Sequence, residues 1–217
     1  WLSARAGVVT ASEADALVSP KFEVRKGKGL DTYLAQKVAE KWTGGPISNA
    51  MTLDMDFGKI LEEEAIPWLA FEYDWSIERP ALITSLDDKI GCSPDGWLKE
   101  GVGLEIKCPS PQNHVKYLLA NVVPDDYVAQ IQFSMFVTGA KEWRFVSYRR
   151  GFPNLVLGVL RDETAQDAIS TALESFLPRL ETAYERLVAM NGGERPKANA
   201  FREAIMREAS PEPMYGV

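Results

Sequence analysis

The sequence predicts an α/β (α+β) fold in which a mixed central sheet is flanked by helices. Segments with helical periodicity alternate along the chain with short apolar runs bounded by turn residues. In addition, residues 104–108 (LEIKC) alternate apolar and charged side chains with the period of a β-strand. Neither an all-α nor an all-β arrangement accommodates both patterns.

Capping residues and helix breakers delimit three helices in the first third of the chain. A short helix is predicted to begin near Ser12, and a second covers 30–42 and ends at the glycines 44–45. A third is predicted over about 48–75. Pro67 is expected to kink or restart it, because proline lacks the backbone N–H.

Three short strands are predicted after these helices. They cover 76–84, 88–93 and 104–108, and a turn near 86–87 joins the first two. Because they follow one another closely, we expect them to form a three-stranded meander, with the charged strand at the centre of the sheet.

Helices and strands alternate again in the second half of the chain. Helices are predicted over 111–119 and 124–137, and Gly139 stops the second. Two further strands are predicted over 142–148 and 155–160. Their expected place is the edge of the same sheet.

A long amphipathic helix is predicted over 164–191. The apolar stripe along one side of this helix can pack in the core or form a subunit interface, and we favour the core. We assign 1–193 to a single domain and 194–217 to a loosely ordered tail with room for a short helix over 201–207. The apolar stripe of the long helix consists of Ile169, Leu173, Phe176, Leu177 and Leu180.

Length and composition limit the class of protein. The 217 residues suffice for one large domain, and a hydrophobic content of 46% is enough to bury a substantial core. No apolar run approaches the length of a membrane span. Residues 1–13 lack the long apolar centre of a secretion signal, so we expect a cytoplasmic location.

The two cysteines and the single histidine exclude several kinds of site. Cys92 and Cys108 are too few for a disulfide framework or a four-thiolate cluster, and we expect buried thiols in a reducing compartment. His114 alone gives little support for a histidine metal site or a Ser-His triad. It is expected on a helix surface.

Acidic residues are concentrated in one part of the chain. The net charge is −7, and residues 51–100 hold twelve acidic against four basic side chains. Metal ligands of a carboxylate site would lie in this segment. Residues 21–28 hold four basic side chains and one acidic, which is equally typical of a loop that contacts a nucleic-acid backbone and of an ordinary solvated loop.

Asp95, Glu105 and Lys107 are the candidate catalytic set. Asp95 precedes a turn, and Glu105 and Lys107 lie two residues apart, so both point to one face of the predicted strand. Carboxylate oxygens suit magnesium, and an ammonium beside them can orient a water for attack on a phosphodiester. The alternative is the exposed charged face of an edge strand.

Five stretches of the chain form an ordered set of motifs. They are WLSARAGVVTASE at 1–13, FGKILEEEA at 57–65, CSPDG at 92–96, LEIKCP at 104–109 and DYVAQIQFSMFVTG at 126–139. In this order they resemble the PD-(D/E)XK nucleases, and among these the phage lambda exonuclease or YqaJ-type viral recombinase family. The resemblance covers most of residues 1–148 and implies a restriction-endonuclease-like core.

The resemblance implies a role for each residue of the catalytic set. Asp95, Glu105 and the backbone carbonyl of Ile106 would bind the metal, and Lys107 would position the water. The implied cofactor is Mg²⁺, as two ions, with Mn²⁺ able to substitute.

Further residues on helices are implied at the same site. Glu62 is similar to an acidic residue that contacts water or a second metal, although it can equally be one solvated member of the run 62–64. Gln130 and Tyr127 lie three apart on one helix face, close to the metals by resemblance. For Tyr127 the alternative is packing against the sheet.

A 5′-phosphate pocket is implied by the same resemblance. Arg5, Ser12 and Ser93 match its arginine and serines, although Ser12 can also be a helix N-cap. Met55 aligns with an apolar residue that wedges the DNA end apart.

The implied function is a Mg²⁺-dependent 5′→3′ exonuclease on linear double-stranded DNA, which leaves 3′ overhangs for phage-type recombination. Implied partners are DNA ends, a single-strand annealing protein and two further copies of the chain in a homotrimer ring, in the bacterial host cytoplasm. The alternatives are an endonuclease or junction resolvase on the same core, and a non-catalytic DNA-binding or assembly protein.

Overall fold

Within residues 3–45, 47 and 53–196, which the computed structural model describes, the chain forms five α-helices, two 3₁₀ helices and eight strands. The α-helices are α1 (Lys28–Thr43), α2 (Leu53–Tyr73), α3 (Pro111–Ala120), α4 (Asp125–Thr138) and α5 (Glu163–Met190). The 3₁₀ helices are Ser3–Arg5 and Ala11–Ala16. The strands are β1 (Val9–Thr10), β2 (Ile77–Glu78), β3 (Ile83–Ser85), β4 (Ile90–Cys92), β5 (Gly96–Leu98), β6 (Gly103–Lys107), β7 (Glu142–Ser147) and β8 (Leu155–Leu160).

A mixed five-stranded sheet forms the centre of the fold. Its order is β2-β5-β6-β7-β8, with β6 parallel to β7 and antiparallel to β5. The charged strand β6 is therefore the central strand, as predicted. The alternative of an exposed edge strand is wrong, because Glu105 is only 2% exposed.

The two faces of this sheet are covered by different helices. On one face, Leu61 of α2 belongs to a buried cluster with Ile106 and Val146. On the other face, Ile131 of α4 packs with Phe145. Strand alternation thus directs Ile106 toward α2 and its charged neighbours toward α4.

A second, three-stranded sheet corrects the predicted meander. β3 and β4 do not continue into β6 but pair with β1 in the order β1-β4-β3, in which β1 and β4 are parallel. The strand that neighbours β6 in sequence is β5, which was not predicted. β7 lies inside the large sheet between β6 and β8, so only β8 has the predicted edge position.

The helices match the predicted periodicity with two differences. The segment at Ser12 is the 3₁₀ helix Ala11–Ala16 rather than an α-helix, and α2 does not restart at Pro67. α4 ends at Gly139, which adopts a left-handed conformation with φ 74°. In the helices of the described ranges, none combines the length and hydropathy that a membrane crossing requires.

The apolar stripe of α5 belongs to the core. Ile169, Leu173, Phe176 and Leu180 are buried in the cluster that includes residues of α1, α4 and the second 3₁₀ helix, and Leu177 packs against it. Of the predicted tail, only 194–196 are described, so the short helix expected over 201–207 lies outside the described residues.

His114 is buried, which corrects its predicted surface position. Its Nδ1 lies 2.7 Å from Ser147 Oγ and its Nε2 lies 2.8 Å from the carbonyl oxygen of Pro153. Both ring nitrogens are therefore engaged in holding α3 against the end of β7 and the segment that follows it.

Candidate active site

One cleft of about 370 Å³ brings together residues that are far apart in the sequence. It contains nearly all of the predicted site side chains, together with two that were not predicted, Lys59 and Glu63. Lys59 could have been identified on α2, because it lies one turn before Glu62 on the same helix face. The lining residues are Arg5, Ser12, Lys59, Glu62, Glu63, Ser93, Asp95, Glu105, Lys107 and Gln130.

Asp95 is fixed to the central strand by two hydrogen bonds. Its backbone N–H donates to the carbonyl of Leu104 (3.1 Å), and its Oδ2 accepts from the backbone N–H of Ile106 (2.6 Å). The last pair between β5 and β6 joins Gly96 and Leu104. Beyond it, backbone alternation directs the N–H and carbonyl of Ile106 to the same edge, beside Asp95.

The buried Glu105 and the half-buried Lys107 form an ion pair on the α4 face. Glu105 Oε1 lies 2.5 Å from Lys107 Nζ and accepts a 2.6 Å hydrogen bond from Gln130 Nε2 of α4. The Glu105 carboxylate is therefore held from two sides. Lys107 Nζ also lies 5.0 Å from the ring centroid of Tyr127, a cation–π distance.

Tyr127 itself packs against the sheet. Its ring stacks on Phe145 with 5.6 Å between centroids, and it is not among the residues that line the cleft. It meets the site only through the Lys107 ammonium. The main contact of Tyr127 is thus packing against the sheet, which was the alternative given for this residue.

Negative charge is in excess around Lys107. Burial and the charges of Glu105 and Glu62 raise the pKa of Asp95 well above its ordinary value. Burial raises the pKa of Glu62 as well, against the opposing charge of Arg79. Burial lowers the pKa of Lys107, but the neighbouring carboxylates outweigh burial and leave that pKa raised. Additional positive charge would therefore stabilise the ionised carboxylates of this site.

The donor set fits a hard divalent cation without being a preformed cage. Among the described residues, no three histidine, cysteine or carboxylate side chains converge as a ready metal cluster. Asp95 and Glu105 each have one oxygen engaged by a protein donor, and each carboxylate has a second oxygen. Together with the Ile106 carbonyl they would supply oxygen ligands of the kind magnesium takes.

Arg5, Ser12 and Ser93 meet at the other part of the cleft. The parallel register pairs Thr10 with Gly91, and Ser12 and Ser93, two residues further along each chain segment, both line the cleft. Arg5 Nη2 donates to Ser12 Oγ at 3.0 Å. Ser93 Oγ is buried and has no hydrogen-bond partner among the described residues, which suits a pocket for an external acceptor.

The N-cap alternative for Ser12 is wrong, because Thr10 holds the cap position of the 3₁₀ helix and Ser12 lies inside it. Met55 lies in α2, but its side chain is outside the described residues, so the predicted wedge stays a prediction. None of residues 21–28 lines the cleft.

The glutamate run of α2 divides between two sets of partners, since Glu62 and Glu63 both line the cleft and pair with Arg79, whereas Glu64 pairs elsewhere. Glu62 faces the cleft, with 3.5 Å to Arg79 Nη2. Glu63 accepts from Arg79 Nη1 at 2.7 Å, and Glu64 accepts from Tyr148 Oη at 2.6 Å and from Arg150. These three glutamates are therefore not a uniformly solvated run.

The two cysteines are thiols that do not take part in the site. Cys92 is buried, as predicted, whereas Cys108 is only half-buried. Burial raises the pKa of each thiol to about 12, so both remain protonated near neutral pH.

A central strand with buried Glu-x-Lys, preceded by an aspartate at its flank, defines the class of the PD-(D/E)XK nucleases. Residues 1–141 match the model of the YqaJ-like viral recombinase domain, and the chain belongs to this family. A comparison with curated proteins gave no match.

Solved structures agree with this assignment. An alkaline exonuclease from Laribacter hongkongensis is 28% identical, with a TM-score of 0.78 over 89% of this chain and 97% of that one. A structure of LHK-Exo in complex with dAMP gives 27% identity, the same TM-score and the same coverage. A phage-related exonuclease from Haemophilus somnus, at 12% identity and TM-score 0.64 over 84% of this chain and 96% of that one, shares the fold.

Proposed function

We propose that the protein is a phage-type exonuclease that degrades one strand of linear double-stranded DNA from the 5′ end and leaves 3′ overhangs for recombination by single-strand annealing. The observation that carries the proposal is the meeting, in one cleft, of the Asp95, Glu105 and Lys107 set with the Arg5, Ser12 and Ser93 pocket. Recognition of a terminal phosphate beside the cleavage groups would restrict cutting to DNA ends.

The carboxylate part of the cleft would hold two Mg²⁺ ions, with Mn²⁺ able to substitute. Asp95, Glu105 and the Ile106 carbonyl would be ligands for one ion, and Glu62 would contact the second ion or a water. When bound, the cations neutralise charge on the phosphodiester and lower the pKa of the attacking water. Cations would also offset the acidic cleft, which otherwise repels DNA.

Lys107 and Gln130 would act on the reacting groups from the protein side. The Lys107 ammonium holds and orients the water for in-line attack, and its 2.5 Å pairing with Glu105 fixes its position. Gln130 keeps the Glu105 carboxylate in one orientation through its 2.6 Å hydrogen bond. Tyr127 would help to hold the Lys107 ammonium through its cation–π contact.

The hydroxyl and guanidinium part of the cleft would bind the 5′-terminal phosphate. A guanidinium presents a planar fork of donors to phosphate oxygens, and hydroxyls add neutral donors. The buried Ser93 hydroxyl supports this role, because an acceptor at this position would satisfy it. Met55 would lie near the duplex end as an apolar wedge.

The family resemblance also supports a homotrimer ring around DNA in the bacterial cytoplasm and a single-strand annealing protein as partner. A ring would keep the enzyme on its substrate through many cleavage steps. Light scattering coupled to size-exclusion chromatography tests the trimer directly. A monomer at micromolar concentration would contradict it.

The proposed function is tested with end-labelled linear duplexes carrying a 5′-phosphate or a 5′-hydroxyl, and with covalently closed circles, each incubated with and without Mg²⁺. We expect Mg²⁺-dependent release of nucleotides from the phosphorylated linear duplex and an intact circle. Equal cleavage of the circle would favour the endonuclease or junction resolvase. Binding with no product under any condition would favour the non-catalytic protein.

Arg5→Ala is the matching variant for the phosphate pocket. It should cripple degradation of phosphorylated ends, because the guanidinium is the charged donor of the pocket. If Arg5→Ala degrades phosphorylated linear duplexes at the wild-type rate, end recognition does not depend on this pocket.

A further inference from the structure

A buried polar network lies directly behind the phosphate-binding residues. Lys37 of α1 is 2% exposed and pairs with Glu13 Oε2 at 2.6 Å and Glu40 Oε2 at 2.8 Å. Thr10, also buried, donates its hydroxyl to Glu13 Oε2 at 2.8 Å. None of these four residues lines the cleft.

Glu13 is held by donors from several directions. Besides the Lys37 ammonium and the Thr10 hydroxyl, Tyr33 Oη donates to it at 3.3 Å and Gln36 Nε2 at 3.2 Å. A carboxylate with this many fixed partners keeps one orientation. Its acceptor atom toward Thr10 is therefore fixed as well.

This carboxylate sets the direction of the Thr10 hydrogen bonds. A threonine hydroxyl has one hydrogen and two lone pairs, and the hydrogen is used on Glu13. On its other side the Thr10 oxygen can only accept. It lies 3.2 Å from Arg5 Nη2 and 3.3 Å from Ser12 Oγ, both of which face the cleft.

We infer that Thr10, oriented by Glu13 and Lys37, is a positioning residue for recognition of the 5′-terminal phosphate. This inference rests on the proposed function. Through Thr10, the fixed carboxylate places the Arg5 guanidinium and the Ser12 hydroxyl in the cleft before DNA arrives. Groups that are already placed lose less conformational entropy when the phosphate binds.

The hydrogen bond of the Ser12 hydroxyl shows what this arrangement means for phosphate binding. Because Thr10 can only accept, the Ser12 hydroxyl donates across the 3.3 Å contact in the absence of DNA. A phosphate oxygen would be a stronger, charged acceptor for the same proton. Only a long hydrogen bond is given up on binding.

The test compares Thr10→Val, which removes the hydroxyl at nearly constant volume, with Thr10→Ser, which keeps it. The readout is the ratio of kcat/KM on duplexes with a 5′-phosphate to that on duplexes with a 5′-hydroxyl. We expect Thr10→Val to reduce this preference about tenfold, mainly through KM, and Thr10→Ser to retain it. A purely structural role would lower activity on both substrates alike.

Binding measured without cleavage gives a second readout. Fluorescence anisotropy in Ca²⁺, which is expected to support binding but little hydrolysis, compares the same two duplexes. Thr10→Val should weaken only the complex with the phosphorylated duplex, again about tenfold. If Thr10→Val does not fold, Glu13→Ala replaces it with the same expectation, because the acceptor of the threonine hydrogen is then removed.

The outcomes separate this inference from the proposed function. A wild-type enzyme with no preference for 5′-phosphate overturns the phosphate pocket and, with it, the role of Thr10. A wild-type preference that Thr10→Val and Glu13→Ala retain in full overturns the role of Thr10 alone. Loss in Thr10→Val with retention in Thr10→Ser supports it.

Discussion

Two lysines of this protein, Lys37 and Lys107, both pair with glutamates but have different surroundings. Lys37 is 2% exposed, and its ammonium lies between Glu13 and Glu40 and contacts both. Lys107 pairs with Glu105 at 2.5 Å, keeps 26% of its side chain exposed and lines the cleft. The Lys37 side chain is enclosed by the fold, whereas the Lys107 side chain opens on a cleft.

The difference lies in how the carboxylates are satisfied. Around Lys37, neutral donors from Tyr33 and Gln36 complete the shell of Glu13. Around Lys107, burial and unrelieved repulsion raise the pKa of Asp95. A buried ion pair is therefore not in itself a sign of a site. An excess of carboxylates beside an opening is the stronger indication.

Lys107→Ala should give the largest effect of the variants considered, and this effect should be on cleavage at the cleft rather than on folding. We expect cleavage of linear duplex to fall on the order of 10³-fold, because the group that orients the water is lost. Folding and metal-assisted DNA binding should remain largely intact, since Gln130 still holds Glu105. Single-turnover cleavage and thermal unfolding measure both. Wild-type turnover would remove Lys107 from the mechanism.

Lys37→Met should act on stability instead. Removal of the ammonium leaves the buried Glu40 and the half-buried Glu13 without their shared cation, which costs about 3–5 kcal/mol in the free energy of unfolding. Urea denaturation at neutral pH measures it. Adding Glu40→Gln to this variant should recover part of the loss, because one uncompensated charge is then removed. A loss below about 1 kcal/mol would contradict a closed ionic network.

Gly103→Ala tests how tightly the strand that carries Glu105 is packed. Its effect on the free energy of unfolding should be smaller than that of Lys37→Met. A Cβ at Gly103 would lie 2.3 Å from the ring of Trp143, which is fully buried. We expect a loss of about 1–3 kcal/mol in unfolding free energy from overpacking. In α1, Gly29 has nothing within 4 Å of an added Cβ, so Gly29→Ala is the matched control and should be neutral or slightly stabilising. Equal stability of the two variants would contradict the packing.

The central strand and its charges could be predicted because the signal is local. Period-two alternation in residues 103–107 identifies both faces, and the helices carry periodicity and caps within their own segments. Residues that follow these patterns, such as Glu105 and Lys107, were predicted in the right place. The site roles assigned by resemblance remain predictions.

The second sheet could not be predicted, because its strands are too short and its pairing too distant. β1 has two residues and pairs with β4 about eighty positions later. β5 of the large sheet was not predicted for a similar reason, since it has only three residues. Neither is long enough to show a period. The burial of His114 and Lys37 has the same cause, since their neighbours come from other segments of the chain. Contacts of this kind leave no trace in local sequence.

The most direct test of the account is diffraction at the manganese edge from crystals soaked in Mn²⁺. An anomalous peak in contact with the carboxylates of both Asp95 and Glu105, lost in Asp95→Asn, is the predicted result. Well-ordered density for both side chains, turned apart and with no peak between them, would contradict a metal-dependent nuclease site.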